Sequence, residues 1–241
     1  MSITICTVSG KGGTGKSTVS CGLGIAAELS GKSVLLIDLD CGLRCLDLIF
    51  GVEESVVFDL SDALETNDIS KATYKSLYYE NIRVIPASSD VKDIDFSRLK
   101  LLVDKVKDKY DIIVLDFPAG AHFNNYNVFS DAVFLIVSGA DPISVRDAAV
   151  ISGGIKSSTP PRLIINRFDY DMIKCGMYKN IDDIIDTALT QLIGIVPADS
   201  ELLLISTTHK LKPKGRAIKA FDRIIKRIQG EDIRLPHLKK I

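Results

Sequence analysis

Residues 10–18 read Gly10-Lys11-Gly12-Gly13-Thr14-Gly15-Lys16-Ser17-Thr18, a full match to the pattern G-x-x-x-x-G-K-[ST]. Successive backbone N–H groups of such a turn make a concave anion site, and the N-terminus of a following helix adds positive potential. Gly10 opens the loop, and Gly12, Gly13 and Gly15 let the backbone approach phosphates without an intervening Cβ. In this chemistry Lys16 bridges the β- and γ-phosphates, Ser17 gives its hydroxyl to Mg²⁺ and Thr18 lies within reach of the α-phosphate. A chance glycine-rich turn has the same composition. An apolar strand before it and a helix after it separate the two readings.

Phosphate chemistry with Mg²⁺ also needs an acid at the end of a buried strand beside the loop. The run Ile112-Ile113-Val114-Leu115-Asp116 supplies Asp116, and Phe117-Pro118-Ala119-Gly120 follows as a turn whose Gly120 amide faces a γ-phosphate. The bland reading of Asp116 is a cap on that turn. Asp38 and Asp40 end a second apolar strand, expected to run beside the first. Asp40 is read as the residue facing an attacking water, and Asp38 as support for Mg²⁺ or its water shell. Both are also compatible with solvated turn carboxylates.

The elements that must hold these residues alternate between strand and helix. Strands are expected at Ser2–Val8, Ser33–Ile37, Ile82–Pro86, Asp111–Leu115, Ala132–Val137, Leu163–Ile165 and Gly194–Val196. Helices are expected at Lys16–Ser30, Val56–Glu65, Phe96–Lys107, Ser144–Ile155, Ile181–Thr190 and Gly215–Gln229. In the first helix Val19, Leu23, Ala26, Ala27 and Leu29 make the apolar stripe, and Gly31 closes it. Such alternation implies right-handed crossovers and an α/β fold, a mostly parallel sheet with helices on both faces. With no repeat and no low-complexity linker, the reading is one domain over residues 1–230 and a short tail, 231–241.

Hydrophobic residues make up 46% and charged residues 25% of the 241, which argues against disorder. The apolar runs are too short to span a bilayer, and the N-terminus enters a strand-like segment without a charged leader, so a cytoplasmic location is expected. The five cysteines are odd in number and lack zinc-type spacing, which favours reduced thiols. Cys41 and Cys45 flank the second strand end as small, half-buried thiols, and His122 has no second ligand to make it a metal site.

A lysine directly after the first glycine is not part of the ordinary pattern. Lys11 with the rest of the loop resembles the MinD/ParA family of deviant Walker A ATPases, and most of all its MinD branch of septum site-determining proteins. Asp38-Leu39-Asp40-Cys41-Gly42-Leu43-Arg44-Cys45-Leu46-Asp47 with Gly51 is similar to the family's switch I, and Asp116–Gly120 to its switch II, which usually has Ser where Phe117 stands. Ser144-Val145-Arg146-Asp147-Ala148, Arg162-Leu163-Ile164-Ile165-Asn166-Arg167 and Gly194-Ile195-Val196-Pro197-Ala198-Asp199 follow in the family's order, so the similarity covers about residues 2–230.

The resemblance implies a three-layer P-loop NTPase fold, ATP and Mg²⁺ as ligands, and an ATP-dependent homodimer in which Lys11 reaches the partner copy's nucleotide. A charge arriving in trans is worth on the order of 10³ to 10⁵ in rate, so slow basal turnover follows for the lone chain. The site implied has Lys11, Lys16, Asp38 and Asp40 in the reaction and Ser17, Asp38 and Asp116 toward the metal. Asn166 would read the adenine edge, with Arg167 and the Pro197–Asp199 loop flanking the base. The role implied is spatial positioning in cell-division site selection, with a recruited or activating partner protein. A ParA-like DNA-associated partitioning ATPase and an FlhG-like flagellar-number regulator stay open as alternatives. A ligase or reductase on the same scaffold needs a further substrate site or metal-binding cysteines, which are not seen. Phe117 is expected to alter how a γ-phosphate is sensed, and Arg44 is read either as a phosphate or partner contact or as a solvated side chain.

From Lys210 to Gln229 there are eight Lys or Arg against one acid, Asp222, although the whole chain carries only −1. Ala217, Ile218, Phe221, Ile224, Ile225 and Ile228 fall at helical spacing, giving an amphipathic helix with a basic face. Two readings follow: the apolar stripe docks on its own sheet, or the Lys210–Arg227 face carries the chain to DNA. Pro236 interrupts the tail and no full apolar face develops there, so a peripheral membrane contact is the weaker expectation.

Overall fold

The computed structural model describes residues 2–41, 43–90 and 93–240; Gly42 of the switch segment and the terminal Met1 and Ile241 lie outside the described residues. Within them the strands are β1 Ile3–Val8, β2 Val34–Asp38, β3 Tyr74–Lys75, β4 Ile82–Ile85, β5 Ile112–Asp116, β6 Val133–Ser138, β7 Arg162–Phe168 and β8 Gln191–Pro197. They form one sheet in the order β3-β4-β2-β5-β1-β6-β7-β8, parallel throughout except where β3 meets β4. The helices are α1 Lys16–Leu29, α2 Leu46–Phe50, α3 Leu60–Thr66, α4 Phe96–Val106, α5 Phe123–Asn127, α6 Pro142–Gly154, α7 Asp171–Lys174, α8 Ile181–Ala188, α9 Ser200–Leu203, α10 Ile205–Thr208 and α11 Arg216–Ile228.

The central strands are apolar on both sides because both sides are covered. Along β2 and β5, Leu35, Ile37, Ile113 and Leu115 face a core with α3, α4, α5, α6 and α8. Their neighbours Val34, Leu36, Ile112 and Val114 face a second core with α1, α2 and α11. The expected three-layer architecture is the one observed.

One expectation about neighbours fails. β2 does not run beside β1, because β5 lies between them and pairs with both. The register then sets Thr7 opposite Asp116 and Asp116 opposite Asp38, so three polar side chains end adjacent strands in a row.

Other differences have local causes. The helix expected at Val56–Glu65 starts only at Leu60, because Asp59 caps it in a reciprocal capping box with Asp62. Leu29, placed in the α1 stripe, is 46% exposed at the helix end, while Ile25 is buried. Helices α2, α5, α7, α9 and α10 have four or five residues each, too few to show a period. Strand β3 has two residues on the sheet edge.

The basic helix α11 docks as a core element. Ala217, Ile218, Phe221, Ile224 and Ile225 are buried, and Phe221 lies where a Cβ on Gly22 of α1 would come within 2.1 Å. Its apolar stripe is therefore spent on the chain's own sheet. Several cations of the Lys210–Arg227 segment are engaged as well: Lys212 with Glu201, Arg216 with Asp199, Lys226 with Asp222, and Arg227 with the carbonyls of Ile193 and Ile233. The tail folds back, with Leu238 against the core and Lys239 over the Tyr170 ring. Among the described residues no helix is long and apolar enough to cross a membrane.

Candidate nucleotide site

The loop from Gly10 to Gly15 joins the end of β1 to the start of α1, so its amides gather at a helix N-terminus. Gly15 stands at φ +83°, and a Cβ there would sit 2.3 Å from Asn166 Nδ2, so glycine is required on both counts. The loop walls a cavity of about 430 Å³ that also touches Ser17, Thr18, Asp40, Cys45, Pro118 and Arg167. Thr18 and Arg167 are shared with a second cavity of about 270 Å³, lined by Asn166, Pro197, Ala198, Asp199, Leu202 and Leu203. A polar glycine cradle opening beside a more apolar slot has the shape of phosphates followed by a base. A larger groove of about 610 Å³ opens at the other end of the sheet, where β7 and β8 begin, and no glycine loop borders it.

Lys16 is buried and its Nζ lies 2.8 Å from Asp116 Oδ1. The same oxygen is approached by Ser20 Oγ at 3.0 Å and Thr7 Oγ1 at 3.3 Å, whereas Asp116 Oδ2 is buried without a protein partner. An orphaned carboxylate oxygen at the strand end behind a cradle that Ser17 also lines suits Mg²⁺, which takes few protein ligands and keeps several waters. The residues present fit that cation.

Asp38 is organised differently from the expectation. Its Oδ1 accepts the Asp40 N–H at 3.0 Å, and its Oδ2 accepts those of Cys45 at 3.1 Å and Leu46 at 3.2 Å. The side chain thus spans the switch segment and caps the first turn of α2 from outside. Burial pushes its pKa up to about 7, the neighbouring Asp116 adds to the rise, and the three backbone hydrogen bonds oppose it. Asp40 lines the phosphate cavity at intermediate exposure, and burial raises its pKa too, against the pull of Lys16.

Switch II corrects two expectations. The Phe117 side chain is fully buried, stacked on Phe96 at 5.6 Å and edge-on to Tyr126 and Phe129, so its ring points away from the phosphates. The Gly120 amide donates to Ser9 O at 2.9 Å instead of facing the cavity. Arg44 is not freely solvated, since its Nε donates to buried Asp47 at 2.8 Å. His122 is exposed, and among the described residues no three His, Cys, Asp or Glu side chains gather for a metal.

Asn166 and Arg167 sit where the β7–β8 register slips, and Arg167 takes the left-handed φ of 53°. This bulge turns Asn166 inward and leaves Arg167 exposed over the cavities. Asn166 Nδ2 donates to Thr14 O at 2.8 Å, and its buried Oδ1 has no protein partner. Lys11 is exposed on the cavity rim, in contrast to Lys16.

Sequence reasoning missed Thr7, Ser20, Leu202 and Leu203. Ser20 was within reach, since it lies one helical turn beyond Lys16 on the same face of α1. Thr7 required the strand order.

Fold and site together define a phosphate-loop nucleotide-binding protein of the three-layer α/β class. Residues 5–211 match the CobQ/CobB/MinD/ParA nucleotide binding domain, and the chain belongs to that family. It is 35% identical to the septum site-determining protein MinD of Bacillus subtilis, over 98% of this chain and 92% of that protein. MinD in the MinC:MinD cell division complex of Aquifex aeolicus superposes with a TM-score of 0.86 at 33% identity, covering 98% of this chain and 99% of that one. MinD of Pyrococcus horikoshii, complexed with Mg-ADP, has the same fold at a TM-score of 0.77 and 24% identity, over 95% and 96% of the two chains.

Proposed function

We propose that this chain is a MinD-like ATPase of cell-division site selection: ATP with Mg²⁺ joins two copies, and hydrolysis separates them. The observation that carries the reading is the division of labour between two lysines. Lys16 is buried within the cradle, so the nucleotide already has its own cation, while exposed Lys11 stands on the rim where a second copy would present its phosphates. Bound Mg²⁺ would neutralise charge on the phosphates and order water beside them. Asp40 holds the position from which an attacking water is oriented. Asp38 keeps that segment in place through its three backbone hydrogen bonds. Ser17 and Asp116 would hold the metal, Asp116 through water. The adenine slot uses Asn166, Arg167, Pro197 and Asp199, and hydrolysis by a single copy is slow because Lys11 acts only in trans.

Residues 1–230 form the ATPase domain under this reading, and 231–241 a tail whose Leu238 and Lys239 pack on it. The Aquifex aeolicus relative is solved with MinC, which supports a protein partner here as well. A ride on DNA through the Lys210–Arg227 face is the poorer reading, because four of those cations already have protein partners.

The test is the solution mass of Asp40→Ala, a variant meant to bind ATP without consuming it, measured by light scattering. A doubling of mass only with ATP and Mg²⁺ is expected. A mass that ignores nucleotide while ATP is demonstrably bound removes the dimer switch and the role given to Lys11.

A further inference from the structure

Resting on the nucleotide reading, we infer that Thr7 and Ser20 are positioning residues that take over Asp116 when Lys16 leaves it for phosphate. Lys16 cannot serve both partners at full strength. In the described state its Nζ is 2.8 Å from Asp116 Oδ1, whereas the cradle in front of it requires the same ammonium at the phosphates. Its departure would strip a fully buried carboxylate of its only cationic contact among the described residues.

Two hydroxyls are arranged to prevent that. Thr7 Oγ1 and Ser20 Oγ lie 2.6 Å apart, and both reach Asp116 Oδ1, at 3.3 Å and 3.0 Å. Each also has a backbone carbonyl in range: Leu115 O at 3.1 Å for Thr7 and Lys16 O at 3.1 Å for Ser20. A hydroxyl carries one hydrogen, so each donates to one acceptor at a time. While Lys16 occupies Oδ1, one hydrogen lies in the 2.6 Å contact between the two hydroxyls and the other goes to a backbone carbonyl. Once Lys16 turns away, Ser20 rotates its hydrogen onto Oδ1 and Thr7 donates to Ser20 or to Oδ1. No heavy atom has to travel. Thr7, Ser20 and Asp116 all have zero exposure, so bulk water does not replace the ammonium there. The carboxylate stays hydrogen-bonded and aimed, and its Oδ2, which has no protein partner, would be left to water of a bound Mg²⁺.

A plain structural role for the hydroxyls predicts something different: loss of stability whether or not nucleotide is present. The experiment compares the parent with Thr7→Val, Ser20→Ala and the double variant, using a fluorescent ADP analogue with and without Mg²⁺. Thermal unfolding is followed without nucleotide. The double variant should bind Mg-ADP about tenfold to a hundredfold more weakly, the scale of hydrogen bonds to a charged group. The affinity gained on adding Mg²⁺ should shrink with it, while the nucleotide-free midpoint moves by only a few degrees. Ser20→Thr and Thr7→Ser, which keep the hydroxyls, should retain parental affinity. Parental Mg-ADP affinity in the double variant overturns the inference, and so does a stability loss large enough to account for the weaker binding. A parent that binds no Mg-ADP overturns the nucleotide reading itself, an outcome distinct from either.

Discussion

Two clusters of opposite charges in this molecule meet water very differently. Lys16, Asp116 and Asp38 are buried together where β1, β5 and β2 end, and the lysine pairs with Asp116 alone. Lys100, Asp104, Lys107 and Asp131 lie along α4 and the approach to β6, at 21–50% exposure, with two acids and two lysines linked at 2.7–2.8 Å. The surface cluster is balanced, and solvent screens what each link contributes. The buried cluster pairs one acid with its lysine and holds the second by backbone N–H groups, with that acid's pKa raised to about 7. A buried acid without a cation of its own is costly unless a proton or a ligand neutralises it, whereas balanced charge in water contributes little either way.

The sharpest attempt to break this contrast uses Lys11, an exposed cation that the surface logic would dismiss. Lys11→Ala is expected to leave nucleotide binding largely intact while lowering the turnover of the ATP-joined form by about 10³-fold or more. Steady-state phosphate release at saturating ATP checks it, and turnover equal to the parent's would remove the trans role. Lys16→Met should lose nucleotide binding and destabilise the nucleotide-free chain in urea unfolding, by less than the roughly 3–5 kcal/mol of an uncompensated buried charge because Thr7 and Ser20 can donate to Asp116 in its place.

Asp38 gives a smaller effect with a definite sign. Its folded pKa of about 7 is raised from 3.8, so the stability linked to its proton is fully present below 3.8 and is lost as pH rises through about 7. The nucleotide-free chain should therefore be more stable at pH 6 than at pH 8, by at most about 1.4 kcal/mol per pH unit. Urea unfolding at the two pH values measures the slope, and Asp38→Asn should flatten it.

Asp131→Ala, on the surface, should cost no more than about 1 kcal/mol, and less in high salt. Partial burial works against it, but the hydrogen bond from Lys107 and the charge of Lys100 hold the Asp131 pKa below 3.8. What it contributes is thus present above 3.8 and lost as pH falls below it, the reverse of Asp38.

Much of the site could be read from order along the chain alone. The loop from Gly10 to Thr18 is contiguous, and so is Ile112–Asp116 with its turn. In both, local chemistry names the role: glycines where backbone must approach an anion, and an acid ending an apolar strand. Alternation of strand and helix likewise specified a covered parallel sheet, because each segment's period depends on near neighbours. The docking of α11 was readable as one of two outcomes, since an apolar stripe on a basic helix needs a partner of some kind.

Other features depended on residues far apart in the chain. Whether β5 or β2 neighbours β1 is a matter of crossover path, and that path puts Asp116 between Thr7 and Asp38. The inward turn of Phe117, the Gly120 amide on Ser9 O and the pairing of Arg44 with Asp47 are likewise packing outcomes. Residue types and spacing establish which groups exist and which local shapes they favour, because backbone preference and hydrogen-bond capacity are carried by each residue. Which hydroxyl meets which carboxylate, and which charge stays short of a partner, follows only when distant segments exclude water from one place together.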